Sequence, residues 1–231
     1  MTTPLSIGGR RELFVDALLI DRLDGARLAL HRPQPREVAF TCDAPWEVAA
    51  PGYAAVLHAE GRYRLYYCAA PGHCEDSDPR QLTCCAESDD GIHWRKPELG
   101  LVAIQGSPRN NVVWQGTLSH NLTPFYDTNP ACPPDERYKA VGGCNADWGG
   151  GEGLVALASA DGLAWRRLFD EPLALHGGFD SQNLIFWDER AGCYRAYWRV
   201  GRSAHPAIPP GRDVATATSP DLRAWSEPRQ L

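Results

Sequence analysis

Ser88-Asp89-Asp90-Gly91-Ile92-His93-Trp94 returns as Ser159-Ala160-Asp161-Gly162-Leu163-Ala164-Trp165, and again, without its glycine, as Ser219-Pro220-Asp221-Leu222-Arg223-Ala224-Trp225. The three Trp residues stand 71 and 60 positions apart. A repeat of that length holds about four strands of five or six residues with their turns. Within the heptapeptide the Asp side chain can accept hydrogen bonds from nearby backbone, and Gly can take a positive φ. The segment therefore reads as a turn, with its Trp packed between neighbouring repeats. On that reading the Asp and Trp residues are structural.

A second feature keeps step with the first. Gly61-Arg62-Tyr63-Arg64-Leu65-Tyr66, Glu136-Arg137-Tyr138-Lys139-Ala140-Val141 and Gly192-Cys193-Tyr194-Arg195-Ala196-Tyr197 each follow a turn with period-2 alternation, the mark of a strand. The aligned Tyr precedes its Trp by 31, 27 and 31 residues. An apolar run lies before each of these strands: Tyr53–His58, Leu122–Asp127 and Asn183–Asp188. Another lies before each heptapeptide: Leu82–Ala86, Gly153–Ala158 and Val214–Thr218. A fourth, shorter strand is expected near each Trp. Four antiparallel strands per repeat make a β-propeller blade. The expected fold is all-β, with about three four-stranded blades of an incomplete ring in one partial domain. Its parts are a lead-in over residues 1–44 and blades over 45–110, 111–176 and 177–231. In the lead-in, Glu12–Asp16, Leu18–Asp21 and Ala26–Leu30 read as short strands that could close the last blade or cover an edge.

Composition agrees with short strands. The chain has 8 Trp, 8 Tyr, 22 Gly and 19 Pro against a single Met, a mixture that favours aromatic-rich strands and tight turns over long helices. A net charge of −6 argues against a nucleic-acid partner. No apolar run approaches the length of a membrane span, and the start, Met1-Thr2-Thr3-Pro4-Leu5-Ser6, lacks the regions of a secretory signal. The cytoplasm is the expected compartment. The eight cysteines show neither CxxC pairs nor zinc-ligand spacing, so they are expected to be free, mostly buried thiols.

The order of strand, turn, Tyr-rich strand and Ser-x-Asp-Gly-x-x-Trp resembles the five-bladed propellers of glycoside hydrolase families 32 and 43, most closely a group of uncharacterised family-32-like proteins. The stretches that carry the likeness are Leu13-Phe14-Val15-Asp16, Asp43-Ala44-Pro45-Trp46-Glu47, Asn129-Pro130-Ala131-Cys132-Pro133-Pro134 and Phe179-Asp180-Ser181-Gln182-Asn183. The resemblance implies five blades where this chain holds three. Closure would then need C-terminal blades or self-association.

The resemblance also implies a carbohydrate ligand in the central funnel and catalysis by a pair of carboxyl groups. Such groups sit where the innermost strands begin. The acids nearest those positions are Asp43 and Glu47 in the first blade, Asp180 in the third, and Asp213 beside Arg212 on the next strand. In the second blade the corresponding residues are His120 and Asn121, neither of them a carboxylate. His120, Asn121, Gln182, Asn183 and Arg212 are expected to contact sugar hydroxyls, and Trp46, Tyr53 and Trp148 could stack on a pyranose face. For each there is a structural alternative: loop acids capping strands, amides bonded to loop backbone, aromatics packed between blades. The run Trp148-Gly149-Gly150-Gly151-Glu152-Gly153 reads as a rim loop, since no Lys-Ser/Thr follows it. No cofactor is expected. A channel calcium ion enters by analogy with related propellers only.

Three functions compete at this point. One is a glycoside hydrolase. Another is a non-catalytic carbohydrate-binding or truncated propeller, favoured by the missing second-blade carboxylate. The last is a sialidase-like propeller, whose turns read Ser-x-Asp-x-Gly-x-x-Trp, one residue longer than here.

Overall fold

The computed structural model describes residues 6–9, 12–75, 78–143, 153–200 and 213–231. The chain divides into two units, Met1–Val38 and Ala39–Leu231.

The described part of the first unit contains no strand. The three short strands expected over Glu12–Leu30 are instead turns and irregular backbone, such as the bond from Leu18 N–H to Asp16 Oδ1 at 2.8 Å. Alternation alone does not make a strand; the backbone also needs a ladder partner. Here Leu13, Val15 and Leu18 are exposed.

The described residues of the second unit form twelve strands in three four-stranded antiparallel sheets, each built from consecutive strands. The first contains β1 (Ala49–Ala59), β2 (Arg62–Ala70), β3 (Leu82–Ser88) and β4 (Val112–Gln115). The second contains β5 (Thr123–Tyr126), β6 (Tyr138–Gly142), β7 (Val155–Ser159) and β8 (Arg166–Arg167). The third contains β9 (Leu184–Asp188), β10 (Cys193–Val200), β11 (Asp213–Ser219) and β12 (Arg229–Gln230). The leading strands β1, β5 and β9 lie side by side, so the sheets radiate from a common axis as propeller blades do. The three sheets do not close a ring.

The heptapeptides form the expected turns. Asp90 Oδ1 accepts from the backbone N–H of Ile92 and His93, each at 2.8 Å, and Ser88 Oγ accepts from Gly91 N–H at 2.9 Å. Asp161 and Ser159 repeat these bonds, and Asp221 makes its own with Arg223 and Ala224. Gly91 and Gly162 have φ near +77° and +75°, and Leu222 takes the same conformation at +67°.

Two apolar layers join the sheets. Tyr66, Cys85 and Val113 of the first sheet meet Leu163 and Trp165 of the second. Between the second and third sheets, Phe125, Val141 and Leu154 join Ile185, Trp198 and Leu222. Tyr66 and Val141 occupy equivalent positions, three residues past the aligned Tyr. A large Tyr thus accompanies Gly at the first interface, and a smaller Val accompanies Leu at the second.

One strand departs from expectation. After Trp94 the chain makes only a single bridge, Arg95 to Glu87, before leaving the sheet. Asn110 draws the excursion together, its Nδ2 donating to Val102 O and Ser107 O. The fourth strand therefore forms at Val112, because Pro97, Gly100, Gly106 and Pro108 cannot sustain a ladder. The excursion and Phe40, Trp46 and Trp94 cover the outer face of the first sheet. The outer face of the third presents Leu184, Phe186 and Val214 at 40–46% exposure.

Candidate functional site

The leading strands bring residues from all three sheets together. Tyr53 sits in a break in the β1–β2 register, with φ +51°, a left-handed conformation that strains any residue with a Cβ. The bulge turns its ring edge-on to His120, with centroids 5.2 Å apart, and its hydroxyl donates to Asp180 O at 3.1 Å. His120 ends a short 3-10 turn, Thr117–His120, just before β5, and is buried. Phe179, immediately before Asp180, is strained in the same way, at φ +55°. Strain of this kind persists where surrounding structure fixes it, and it gathers at functional sites.

The surrounding structure here is a pair of buried amides. Asn121 Nδ2 donates to Gly143 O, Ser181 O and Phe179 O, while its Oδ1 accepts from Gly143 N–H at 2.8 Å. Asn183 Nδ2 donates to the same Phe179 and Ser181 carbonyls, at 3.1 and 2.8 Å. The Asn121 carboxamide thus bonds to backbone through both its nitrogen and its oxygen. Asn183 keeps one buried atom, Oδ1, unbonded.

Asp180 forms an ion pair with Arg199 of β10, and its side chain remains 15% exposed. Gln182 Nε2 donates to Ala54 O at 3.4 Å, tying the third sheet to the bulge. Beside them opens a recess of about 320 Å³ whose lining includes Gln182, Leu184, Tyr197, Arg199 and Asp213. Asp213 begins β11 and accepts hydrogen bonds from Gln230 and from Val214 N–H; these hold its carboxyl below the usual carboxylate range.

Asp43, Trp46 and Glu47 form a separate group at the outer face of the first sheet. The Glu47 side chain is fully buried. It accepts from Tyr67 Oη at 2.5 Å, Lys96 Nζ at 2.6 Å and Ala44 N–H at 2.8 Å. Asp43 meets the same ammonium at 2.7 Å, which lowers its carboxyl below the ordinary value. Trp46 packs into the apolar layer and donates through Nε1 to Asn111 Oδ1 at 3.0 Å. These contacts fasten the chain entering β1, and they place Glu47 with Lys96 and Tyr67 instead of with Asp180. Burial pushes the Tyr67 phenol far above its ordinary range, with the nearby Cys84 and Glu47 adding to the effect.

Arg199 was absent from the sequence expectations. It continues the alternation Arg195-x-Tyr197-x-Arg199 on one face of β10, which was the available signal. The positive φ of Tyr53 and Phe179 left no such trace. Arg212 and Trp148 lie outside the described residues. Among the described residues no group of three or more His, Cys, Asp or Glu side chains could hold a metal ion.

No protein-family model and no curated protein matches this sequence. Solved structures do match in shape. A thermostable family-43 glycoside hydrolase superposes with a TM-score of 0.50 at 18% identity, over 78% of this chain and 52% of the other. Fructofuranosidase from Schwanniomyces occidentalis, complexed with fructose, gives 0.50 at 13% identity, over 79% of this chain and 35% of that one. The β-1,2-mannobiose phosphorylase from Listeria innocua gives 0.47 at 15% identity, over 78% and 58%. The chain spans about half the length of the first of these and about a third of the second. At such identities the likeness is one of fold alone.

Proposed function

We propose that this chain is part of a glycan-acting propeller and that a saccharide binds where Tyr53, His120, Asp180 and Gln182 converge. The observation that carries the reading is that convergence: the Tyr53 ring meets the His120 imidazole, its hydroxyl bonds the backbone of Asp180, and Gln182 bonds back to Ala54 beside the bulge. A sugar offers hydroxyls for the polar groups and an apolar ring face for Tyr53. In the hydrolytic form of the reading, Asp180 is one working carboxylate and Asp213, on the recess shared with Arg199, is the second. Glu47 and Asp43 hold the first sheet together. A further blade, in the same polypeptide or a partner, would pack over Phe186 on the outer face of the third sheet and form the missing wall of the recess.

A non-catalytic, carbohydrate-binding propeller is the second reading. It is favoured by His120 and Asn121 standing where a second-sheet carboxylate would be needed.

The test is turnover and binding of a panel of nitrophenyl glycosides and unlabelled oligosaccharides by the wild type, Asp180→Asn and Asp43→Asn. Hydrolysis that falls about 10²–10⁴-fold in Asp180→Asn and survives in Asp43→Asn supports the catalytic reading. Binding without turnover, weakened by Asp180→Asn, supports the second. Neither binding nor turnover by the wild type overturns both.

A further inference from the structure

Away from the axial site, the second sheet buries a lysine against a cysteine. The Lys139 side chain is 5% exposed, and its Nζ lies 2.7 Å from Asp127 Oδ2, 3.0 Å from Glu136 O and 3.0 Å from Cys132 Sγ. The three ammonium donors are thus directed at a carboxylate, a carbonyl and a sulfur. Sulfur is a weak acceptor, so an oxygen there would satisfy the cation better. The thiol is buried too, with Pro133 O and Glu136 O each 3.5 Å from Sγ. Amine, thiol and a carboxylate able to take a proton therefore share one closed site.

We propose that Cys132 and Lys139 form a redox modification site, in which peroxide joins Sγ to Nζ through a single oxygen atom as an N–O–S bridge. In the first step one peroxide converts the thiol to a sulfenic acid. Its O–O bond breaks, an S–O bond forms, sulfur gives up two electrons and one water leaves. Lys139 then passes its ammonium proton to Asp127, freeing a lone pair on Nζ. A second peroxide accepts two more electrons as the N–O bond forms. The hydrogen of the sulfenic acid and one hydrogen of the amine leave with that peroxide as two waters. Burial raises the Cys132 thiol above its ordinary value while the Lys139 contact opposes it, so the first step is slow and needs excess peroxide. The second joins groups already held together, which strongly favours an intramolecular reaction.

The bridge would remove the positive charge facing Asp127. The same Asp127 Oδ2 also accepts from Tyr194 Oη of β10 at 2.8 Å, so oxidation is coupled to the seam between the second and third sheets. This inference stands apart from the saccharide reading.

The test is peptide mapping of peroxide-treated protein without reductant. Trypsin cuts after Arg109, Arg137, Lys139 and Arg166. The bridged protein yields the peptide Asn110–Arg137 joined to Tyr138–Arg166, uncut after Lys139. The joined species is heavier than its two parts by one oxygen less two hydrogens, and dithiothreitol separates it. It should disappear in Cys132→Ser and Lys139→Arg and persist in Cys144→Ser. Normal cleavage after Lys139 in the treated wild type overturns the proposal, whether Cys132 is then unreacted, a sulfinic acid or disulfide-linked to Cys144. The wild-type map decides the matter even if a variant fails to fold.

Discussion

Replacing Gly162 by Ala tests the radial packing directly, because Gly91, at the equivalent turn, is an internal control. Both glycines have a positive φ, so Ala in either place costs about 1–2 kcal/mol of backbone strain. Around Gly91 the nearest atoms to a new Cβ belong to the Tyr63 ring, at an ordinary 3.6 Å. At Gly162 it would stand 2.8 Å from Arg64 Nη1, 2.8 Å from Tyr66 Oη and 2.9 Å from Tyr138 Cδ1. Arg64 can swing aside. Tyr66 and Tyr138 are buried rings, and Tyr66 donates to Gly162 O at 2.9 Å. Overpacking of this kind costs about 1–3 kcal/mol, and weakening the Tyr66 bond adds about 1 kcal/mol. Gly162→Ala should therefore lose about 3–6 kcal/mol in all, against about 1–2 for Gly91→Ala. For a chain of this size, that difference of about 2–4 kcal/mol places the Gly162→Ala melting temperature lower by roughly 4–16 °C. Urea unfolding followed by tryptophan fluorescence, with calorimetry alongside, measures both. In a Tyr66→Phe background the two effects should not add, since the clashing oxygen is gone. Equal losses at the two glycines would refute the packing of the second turn beneath the first sheet.

Three further outcomes follow from the same contacts. Asn121→Asp places a carboxylate in the second sheet but turns an acceptor toward the Phe179 and Ser181 carbonyls; it should cost about 2–4 kcal/mol in urea unfolding and produce no new hydrolysis. Lys96→Met leaves the buried Glu47 carboxylate without its cation, and a loss of about 3–5 kcal/mol is expected, read as a shift in the urea midpoint. Burial acts to raise the Asp161 carboxyl, but the Ala164 and Leu163 N–H bonds prevail and hold it below its ordinary 3.8. A depressed folded value contributes stability that is present above the unfolded value and lost as pH falls through the folded one. Urea midpoints measured downward from pH 5 should therefore fall below about pH 4, and less steeply in Asp161→Asn.

The recurring features were legible because each repeats with its own physical reason. Aligned Tyr residues mark second strands, and Ser and Asp fold the turn through bonds made within a few residues. Such local chemistry leaves a pattern. The lead-in misled because Leu13, Val15, Leu28 and Leu30 alternate like a strand, yet a strand needs a ladder that no local pattern guarantees. The same limit separated Glu47 from Asp180. Proximity to the start of β1 was visible in the sequence, but the direction of the side chain depends on Lys96 and Tyr67, 49 and 20 residues away. Arg199 reaches Asp180 only because β10 packs beside the segment that leads into β9.

The exchange of bulk between Tyr66 with Gly162 and Val141 with Leu222 also gives the blades an order. If the third turn followed the first sheet directly, Leu222 would contend with the Tyr66 ring for one space. If a glycine turn followed the second sheet, the apolar layer that holds Val141 would lose the Leu222 side chain. Each seam is thus keyed to its own neighbours, and a shuffled arrangement of otherwise similar modules would be penalised at both joints.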